Sequence, residues 1–211
     1  MTYAVKEVHY TLQGEGARTG RAAVFCRFAG CNLWSGRAQD RASAQCRFCD
    51  TDFVGTDGDG GGFFKTADSL ADIIASYWPK TESGGRYVVF TGGEPLLQLD
   101  EPLINALHVL DFEVAIETNG TLLAPQGVDW VCVSPKADTE QVLRAGQELK
   151  VVYPQNGLDP RSLEDQDFAN RFVQPMDGPD YQDSLSACLA FCRDNPAWRL
   201  SLQIHKVLGI P

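Results

Sequence analysis

The sequence contains a series of short, nearly continuous apolar segments rich in β-branched and aromatic residues, and this feature constrains the fold most. Continuous rather than alternating apolar residues predict strands that are buried on both faces. Such strands are typical of parallel sheets covered by helices. The predicted strands are residues 23–28, 87–90, 113–116, 130–133, 149–153, 171–173 and 200–204.

Amphipathic segments with helical spacing lie between several of the predicted strands. In residues 66–78 the apolar side chains of Leu70 and Ile74 share one face, and Thr66 precedes them as a candidate N-cap. The other predicted helices are residues 100–110 and 180–193. Alternation of strands and helices predicts an α/β fold with a mainly parallel sheet, either open or curled into a barrel.

The length of the chain limits how complete such a barrel can be. The chain has 211 residues, whereas a full eight-unit barrel typically needs about 250. The connection between residues 132 and 149 also looks too short or irregular for a full helix. We therefore expect an incomplete, distorted TIM-like (βα) barrel that forms one domain over residues 1–211. The glycine-rich residues 55–62 are expected to be a flexible surface connection.

Charge and hydropathy disfavour some classes of partner. The formal net charge is −10, whereas gripping nucleic acid needs a basic surface. No apolar run approaches the ~20 residues needed to span a bilayer. The first residues also lack the basic and apolar pattern of an export signal. We therefore expect a cytoplasmic protein with neither a nucleic-acid nor a membrane partner.

Four of the seven cysteines fall within residues 26–49. Because cytosolic thiols stay reduced, such a group more often binds metal or performs chemistry than forms disulfides. Cys31, Cys46 and Cys49 suit either zinc with a fourth ligand or an iron–sulfur cluster with one open iron. Spacing alone leaves zinc slightly ahead. The cysteines expected to be structural are Cys26 in its predicted strand, Cys132, Cys188 and Cys192.

The predicted strand at residues 87–90 ends in a second signal, Thr91-Gly92-Gly93-Glu94. Two glycines at a strand end let a ligand approach the backbone closely. Glu94 adds a carboxylate that could accept hydrogen bonds from an ammonium group. In parallel α/β folds this edge of the sheet is where ligands bind.

A three-cysteine loop after one strand and a Gly-Gly-Glu turn after the next resemble the radical S-adenosylmethionine superfamily. The resemblance implies a partial or full TIM-like barrel with a cluster loop after its first strand. It implies that Cys31, Cys46 and Cys49 hold a [4Fe-4S] cluster, and that Gly92, Gly93 and Glu94 bind S-adenosylmethionine. Most members have three residues between their first two cysteines. Here there are fourteen, so residues 32–45 form an insertion in the cluster loop.

Further motifs resemble those of the 7-carboxy-7-deazaguanine synthase family in order and over nearly the whole chain, including a long cysteine gap found in some members. They are Leu-Gln-Gly-Glu-Gly at 12–16, Phe-Cys-Arg-Phe-Ala-Gly-Cys-Asn-Leu at 25–33, Cys-Asp-Thr at 49–51, Glu-Thr-Asn-Gly-Thr at 117–121, Val-Ser-Pro-Lys at 133–136 and Phe-Val-Gln-Pro-Met-Asp at 172–177.

The resemblance implies a lyase of queuosine and deazapurine biosynthesis. Its reaction would be the radical ring contraction of 6-carboxy-5,6,7,8-tetrahydropterin to 7-carboxy-7-deazaguanine, with release of ammonia. S-adenosylmethionine would act as a cofactor whose 5′-deoxyadenosyl radical takes the hydrogen from C6, so no side chain is assigned as catalytic. The family resemblance also implies Mg2+, an electron donor such as a flavodoxin or ferredoxin, and a homodimer.

Individual residues receive roles by match to the family motifs. Thr51 would ligate Mg2+, for which a hydroxyl oxygen is a suitable hard ligand. Arg27 would pair with the carboxylate of the pterin, and Glu15 and Glu117 would read its guanidine-like edge. Other substrate contacts expected by match are Leu12, Gln13, Gly14 and Thr91. His205 and a terminal carboxylate at Pro211 are candidates for a different reason, since they follow the predicted last strand. Other expected S-adenosylmethionine contacts are Phe48, Cys49, Asp50, Ser134, Pro135, Lys136, Gln174, Pro175, Met176 and Asp177.

Two other functions remain open from the sequence. One is a radical enzyme that installs a glycyl radical on a partner protein, although such activases usually keep the short cysteine gap and lack the segment at 12–16. The other is a zinc-stabilised binding module without catalytic activity.

Overall fold

The structure is a computed structural model that describes residues 2–80 and 84–211. Nine strands are found there: β1 (Tyr3–Leu12), β2 (Ala22–Phe28), β3 (Gly62–Phe64), β4 (Arg86–Gly92), β5 (Phe112–Thr118), β6 (Trp130–Val133), β7 (Ala145–Tyr153), β8 (Asp167–Pro175) and β9 (Arg199–Leu200). The α-helices in those residues are α1 (Ala67–Tyr77), α2 (Glu101–Val109), α3 (Tyr181–Asp194) and α4 (Ile204–Leu208).

All nine strands belong to one sheet in the order β3-β1-β2-β4-β5-β6-β7-β8-β9. Strand β1 runs antiparallel to both β2 and β3. Every other neighbouring pair, from β2–β4 to β8–β9, is parallel. Across the described residues the end strands β3 and β9 do not pair, so the barrel stays open. The prediction of an incomplete barrel with a mainly parallel sheet is confirmed.

Helices α1 and α2 cover the first half of the sheet as the apolar pattern predicts. Leu70, Ile74 and Leu107 are fully buried against β4 and β5. Thr66 caps α1, because its hydroxyl accepts a hydrogen bond from the Ser69 amide at 3.2 Å and the Ser69 hydroxyl accepts one in return. Helix α1 therefore begins where the sequence predicts, and so does α2, whose N-cap is Asp100.

The second half of the barrel has fewer helices. Between β6 and β7 the described residues contain no helix, as the sequence predicts. Helix α3 packs Cys188 and Phe191 against β7 and β8. Cys26, Cys132 and Cys188 are all buried, which agrees with their predicted structural role. No helix in the described part of the chain has the length and apolar character needed to cross a membrane.

Three local predictions need correction. Only residues 199 and 200 of the predicted last strand pair with β8, and Ile204 begins α4 instead of ending a strand. Strand β1 covers residues 3–12, where no strand is predicted. The glycine-rich residues 55–62 pack on β1, since the Gly58 amide donates to the Lys6 carbonyl at 3.0 Å and the Val8 amide donates to the Asp59 carbonyl at 2.7 Å.

The burial of α2 predicts where the chain is sensitive to truncation. Leu107→Ala should lower the free energy of unfolding by about 2–5 kcal/mol, because Leu107 is fully buried and the truncation leaves a cavity. Val109→Ala, two residues away on the same helix, should change it by less than about 0.5 kcal/mol, since Val109 is 83% exposed. Urea denaturation of the two variants measures the difference. Equal losses would contradict the described packing of α2.

Candidate active site

A cavity of about 400 Å³ opens at the carboxyl ends of the parallel strands. This is the edge at which α/β barrels place their ligands. Of the predicted site residues, the cavity is lined by Leu12, Gln13, Gly14, Glu15, Arg27, Cys31, Cys46, Phe48, Cys49, Asp50, Thr51, Thr91, Gly92, Gly93, Glu117, Ser134, Lys136, Gln174, Pro175, Asp177, His205 and Pro211. Three others, Glu94, Pro135 and Met176, lie outside its lining.

The insertion at residues 32–45 supports the cysteine loop with a small apolar core of its own. The rings of Trp34 and Phe53 pack edge to face, with 5.6 Å between their centroids. Cys31 and Cys49 pack against this apolar group. The Arg41 guanidinium lies 4.0 Å from the Trp34 ring centroid. It also donates to the carbonyl of Arg47 at 2.8 Å and to that of Cys49 at 3.0 Å. Arg41 therefore ties the insertion to the Cys46–Cys49 turn.

Backbone amides surround the three cysteine sulfurs. The sulfur of Cys31 accepts a hydrogen bond from the Leu33 amide at 3.4 Å. A hydrogen bond from Cys46 lowers the pKa of Cys49 to about 6, helped by the Thr51 amide, and the same bond raises the pKa of Cys46. Amides that point at a sulfur stabilise its thiolate form, which is the form that ligates metal.

The donor set at this end of the cavity fits an iron–sulfur cluster that leaves one iron open to a ligand. Cys31, Cys46 and Cys49 are free thiols facing the same space. Cys26 is fully buried in β2 and outside the lining, so it does not offer a fourth thiolate for zinc. Nor do three His, Cys, Asp or Glu side chains form a site for a single metal ion in the part of the chain described.

Gly92 and Gly93 are required because the end of β2 and the cysteine loop that follows it pass directly against the end of β4. A Cβ atom on Gly93 would lie 2.0 Å from the Gly30 carbonyl oxygen and 2.7 Å from Cβ of Cys31. Gly92 has a φ of +128° and would meet the Phe28 carbonyl at 2.3 Å. The sequence predicts a ligand close to these glycines, and the structure adds the cysteine loop itself as a reason for them.

Glu94 is fully buried beside the cavity and organises the end of β5. Its carboxylate accepts hydrogen bonds from the Leu96 amide at 2.9 Å, the Thr118 hydroxyl at 2.7 Å and the Asn119 amide at 2.8 Å. The Asn119 side chain in turn donates to Asn32 at 2.9 Å. Glu94 therefore links the strand ends to the first residue of the insertion.

One end of the cavity is charged, and we call it the floor. It is formed by Gln13, Glu15, Glu117 and Lys150. Lys150 donates to Glu15 and lies 3.6 Å from Glu117. The side-chain nitrogen of Gln13, Nε2, donates to the Glu117 carboxylate at 3.0 Å. Burial opposes ionisation of Glu15, but the charge and hydrogen bond of Lys150 outweigh it and lower the pKa of Glu15. The floor therefore presents carboxylates to whatever occupies the cavity.

Cations and anions are also paired around the mouth of the cavity. Nε of Arg27 donates to Glu7 at 2.8 Å across the β1–β2 pair. This bond uses the inner nitrogen, and no described residue accepts a hydrogen bond from the terminal nitrogens of Arg27. Lys206 bridges Asp50 at 2.5 Å and Asp177 at 2.6 Å, so it joins the loops after β2 and β8.

The last residues of the described chain border the cavity and hold the loop after β1. The Ile204 amide donates to the Gly14 carbonyl at 2.9 Å. The Gly16 amide donates to the Ser201 hydroxyl at 2.9 Å, and the Thr11 hydroxyl donates to a main-chain oxygen of Pro211 at 2.9 Å. The segment that contains His205 and Pro211 is thus placed next to the predicted substrate residues.

The predicted site set lacks nine polar residues of the lining: Lys6, Glu7, His9, Asp52, Thr118, Asn119, Lys150, Gln203 and Lys206. Lys150 had a usable signal, because it is the one charged residue within the apolar run at 149–153. A charge in a strand that is buried on both faces needs a partner, and at a strand end that partner is often part of a site. Thr118 and Asn119 lie within the family motif at 117–121, and the others carry no comparable pattern.

Comparison with known proteins identifies the class. The family model described as the Radical SAM superfamily matches residues 39–150. Together with the open barrel and its three-cysteine loop, this match shows that the chain is a member of the radical SAM superfamily.

Curated relatives identify the family within that class. The 7-carboxy-7-deazaguanine synthase of Burkholderia multivorans is 59% identical over 211 residues, and that of Caulobacter vibrioides is 58% identical over 214 residues. Both alignments cover 100% of each chain. The crystal structure of QueE from Escherichia coli superposes with a TM-score of 0.68 at 28% identity, covering 96% of this chain and 94% of that one. The chain belongs to the 7-carboxy-7-deazaguanine synthase family. This membership argues against the two other functions left open by the sequence, a glycyl-radical activase and a zinc-stabilised binding module.

The contacts of Arg41 predict how the insertion affects cluster loading. Arg41→Met removes both hydrogen bonds to the Cys46–Cys49 turn, so the iron content after anaerobic reconstitution should fall by about half or more. Arg37→Met is the matched control, because the Arg37 side chain is exposed and makes no hydrogen bond or ion pair with the described residues. Iron and sulfide analysis gives the readout. Equal iron in Arg41→Met and the native protein would contradict this role.

Proposed function

We propose that the chain catalyses the ring contraction of 6-carboxy-5,6,7,8-tetrahydropterin to 7-carboxy-7-deazaguanine with release of ammonia. The observation that carries this proposal is the pairing, in one cavity, of a three-cysteine loop with a floor of two carboxylates. The loop suits a radical-generating cluster, and the floor suits a ligand rich in N–H donors. The relatives from Burkholderia multivorans and Caulobacter vibrioides are named as synthases of the same product, 7-carboxy-7-deazaguanine.

The residues divide into two groups along the cavity. Cys31, Cys46 and Cys49 would hold the [4Fe-4S] cluster. Phe48, Asp50, residues 92–94 and the loops at 134–136 and 174–177 would bind S-adenosylmethionine beside it. When bound, these two cofactors supply one-electron chemistry that yields a radical able to take a hydrogen atom from carbon. The chain itself supplies position and electrostatics, which is the usual division of labour in cofactor enzymes.

The opposite end would bind the pterin. Glu15 and Glu117 accept hydrogen bonds from the amino and ring N–H groups of its pyrimidine edge. The terminal nitrogens of Arg27 pair with its carboxylate, in the orientation that Glu7 imposes. The segment with His205 and Pro211 covers the bound ring from the side of α4, which limits access of water to a reactive carbon.

The Mg2+ assignment rests on Thr51. Its hydroxyl lies on the cavity lining directly after Cys49 and Asp50. One neutral oxygen binds Mg2+ weakly, so most of the ligands would come from substrate and water. We therefore expect Mg2+ to bind together with the pterin.

The remaining assignments concern the setting of the enzyme. All seven cysteines are free, which supports a reducing compartment and hence the cytoplasm. A flavodoxin or ferredoxin would supply the electron to the cluster, as in the family that the motifs resemble. We also propose a homodimer and a single domain over residues 1–211. Light scattering of the purified protein tests the dimer, and a monomer at micromolar concentration would contradict it.

Anaerobic turnover tests the proposed reaction. The reconstituted protein is incubated with dithionite, S-adenosylmethionine, Mg2+ and 6-carboxytetrahydropterin, and the products are analysed by mass spectrometry. We expect 7-carboxy-7-deazaguanine, and none from Cys49→Ala, which should load little cluster. Cluster-loaded native protein that forms no deazaguanine would refute the assignment. A colourless protein containing one zinc would refute the enzyme class.

The proposed contact between Arg27, which Glu7 orients, and the carboxylate of the pterin predicts how much substrate binding weakens when the guanidinium is removed. Arg27→Met should raise KM for the carboxypterin by roughly 10- to 100-fold, since a charged hydrogen-bonded pair contributes about 1.5–3 kcal/mol. Steady-state kinetics gives the value. Arg193→Met, an exposed change on α3, should leave KM unaltered. An unchanged KM in Arg27→Met would rule out contact between Arg27 and the carboxylate.

A further inference from the structure

Lys150 occupies a position that no part of the reaction described above requires. It lies in β7 with its side chain only 5% exposed, at the bottom of the cavity. Its ammonium group contacts Glu15 from the loop after β1 and Glu117 at the end of β5. A lysine this deeply buried is uncommon unless it is paired, and here two carboxylates share it.

We propose that Lys150 is a positioning residue that holds Glu15 and Glu117 ionised and aimed at the pyrimidine edge of the substrate. The proposal rests on the proposed function, because it assumes a pterin on this floor. Lys150 acts through the two carboxylates and does not itself contact the pterin.

The contacts around each carboxylate support this arrangement. Glu15 is fixed on one oxygen by Lys150 and on the other by the Gln203 side chain at 3.1 Å. Glu117 uses one oxygen, Oε1, for both Gln13 and Lys150. Among the described residues none donates to the second oxygen, Oε2, which leaves that atom for a ligand.

The charge balance of the floor explains why the lysine matters. Glu148 is also buried here, two residues before Lys150 on the same face of β7. Without Lys150, three carboxylates would share a space with little water. Burial lowers the pKa of Lys150, but Glu117 and Glu15 outweigh that effect and raise it. The group thus stays charged and neutralises the floor only in part, which suits a ligand that donates several N–H bonds.

A direct salt bridge from Lys150 to the substrate carboxylate is the competing explanation. Its nitrogen already faces two protein carboxylates, whereas Arg27 at the mouth bonds Glu7 through Nε alone, and its terminal nitrogens have no hydrogen-bond partner among the described residues. The geometry therefore assigns the substrate carboxylate to Arg27. Ligands with and without that carboxylate separate the two explanations.

The test measures binding of two pterins to cluster-loaded protein with S-adenosylmethionine, by anaerobic calorimetry. The pterins are 6-carboxypterin and 6-methylpterin, which share the pyrimidine edge but differ in the carboxylate. Lys150→Met should weaken both by tenfold or more and by the same factor within about twofold. If only 6-carboxypterin is affected, Lys150 binds the carboxylate directly and the proposal is overturned. Native-like binding of both pterins overturns it as well.

The pH dependence gives a second readout that a merely structural role would not move. Glu15 is faced by Lys150 and Glu148 from β7, Glu117 from β5, Cys132 from β6, His205 from α4 and Arg18 from the loop after β1. Loss of Lys150 removes the main group that lowers the pKa of Glu15, so burial raises it. Binding to Lys150→Met should then weaken as pH falls from 7.5 to 5.5, while native binding stays flat.

Control variants keep the result interpretable. Arg86→Met removes a partly buried guanidinium at the start of β4, where it donates to the Leu110 carbonyl at 3.0 Å, and it should bind both pterins normally. If Lys150→Met does not fold, Lys150→Gln also removes the charge while keeping a polar group, and the same predictions apply to it. Native protein that makes no deazaguanine would refute the proposed function. Native protein that makes it, with a Lys150→Gln variant that binds normally, would refute only the role of Lys150.

Discussion

The close approach of the cysteine loop to the end of β4 is the contact on which the site depends. The Glu94 amide donates to the Gly30 carbonyl at 3.0 Å, and no side chain at Gly93 would fit against Gly30 and Cys31. This contact places the first thiol at the carboxyl edge of a parallel sheet, where the other strand ends converge. The insertion then brings Cys46 and Cys49 to the same edge through Arg41. This one backbone contact therefore holds the cysteine ligands of the cluster at the ends of the parallel strands.

The cavity combines two environments, and the proposed reaction requires both. One end has soft thiolates with backbone amides around them, and the other has carboxylates balanced by Lys150. A radical generated at the first end is productive only if a particular carbon is held within its reach, so the second end must fix the orientation of the substrate. The segment at 201–211 secures that end by bonding the loop that contains Gly14 and Glu15. An open barrel can thus hold a rigid floor without a complete ring of strands.

Much of this arrangement follows from local sequence. Continuous apolar runs identify the parallel strands, and Thr66 marks the start of α1, because burial and capping act over a few residues. Strand β1 escapes that criterion, since Lys6 and Glu7 interrupt its apolar residues and a bulge lies between Val5 and Glu7. Lys150 and Glu15 are 135 positions apart, so their pairing depends on tertiary structure. The motifs locate the ligands, whereas the ion pairs that orient them emerge only from the fold.

A crystal structure of the anaerobically reconstituted protein with S-adenosylmethionine and 6-carboxytetrahydropterin tests the central claim most directly. The claim is that the two ends of one cavity hold the cluster and the pyrimidine edge of the substrate. The account predicts iron on the sulfurs of Cys31, Cys46 and Cys49, with the pterin edge on Glu15 and Glu117. A pterin bound in the reverse orientation, with its carboxylate on Lys150, or a cluster that uses Cys26, would contradict it.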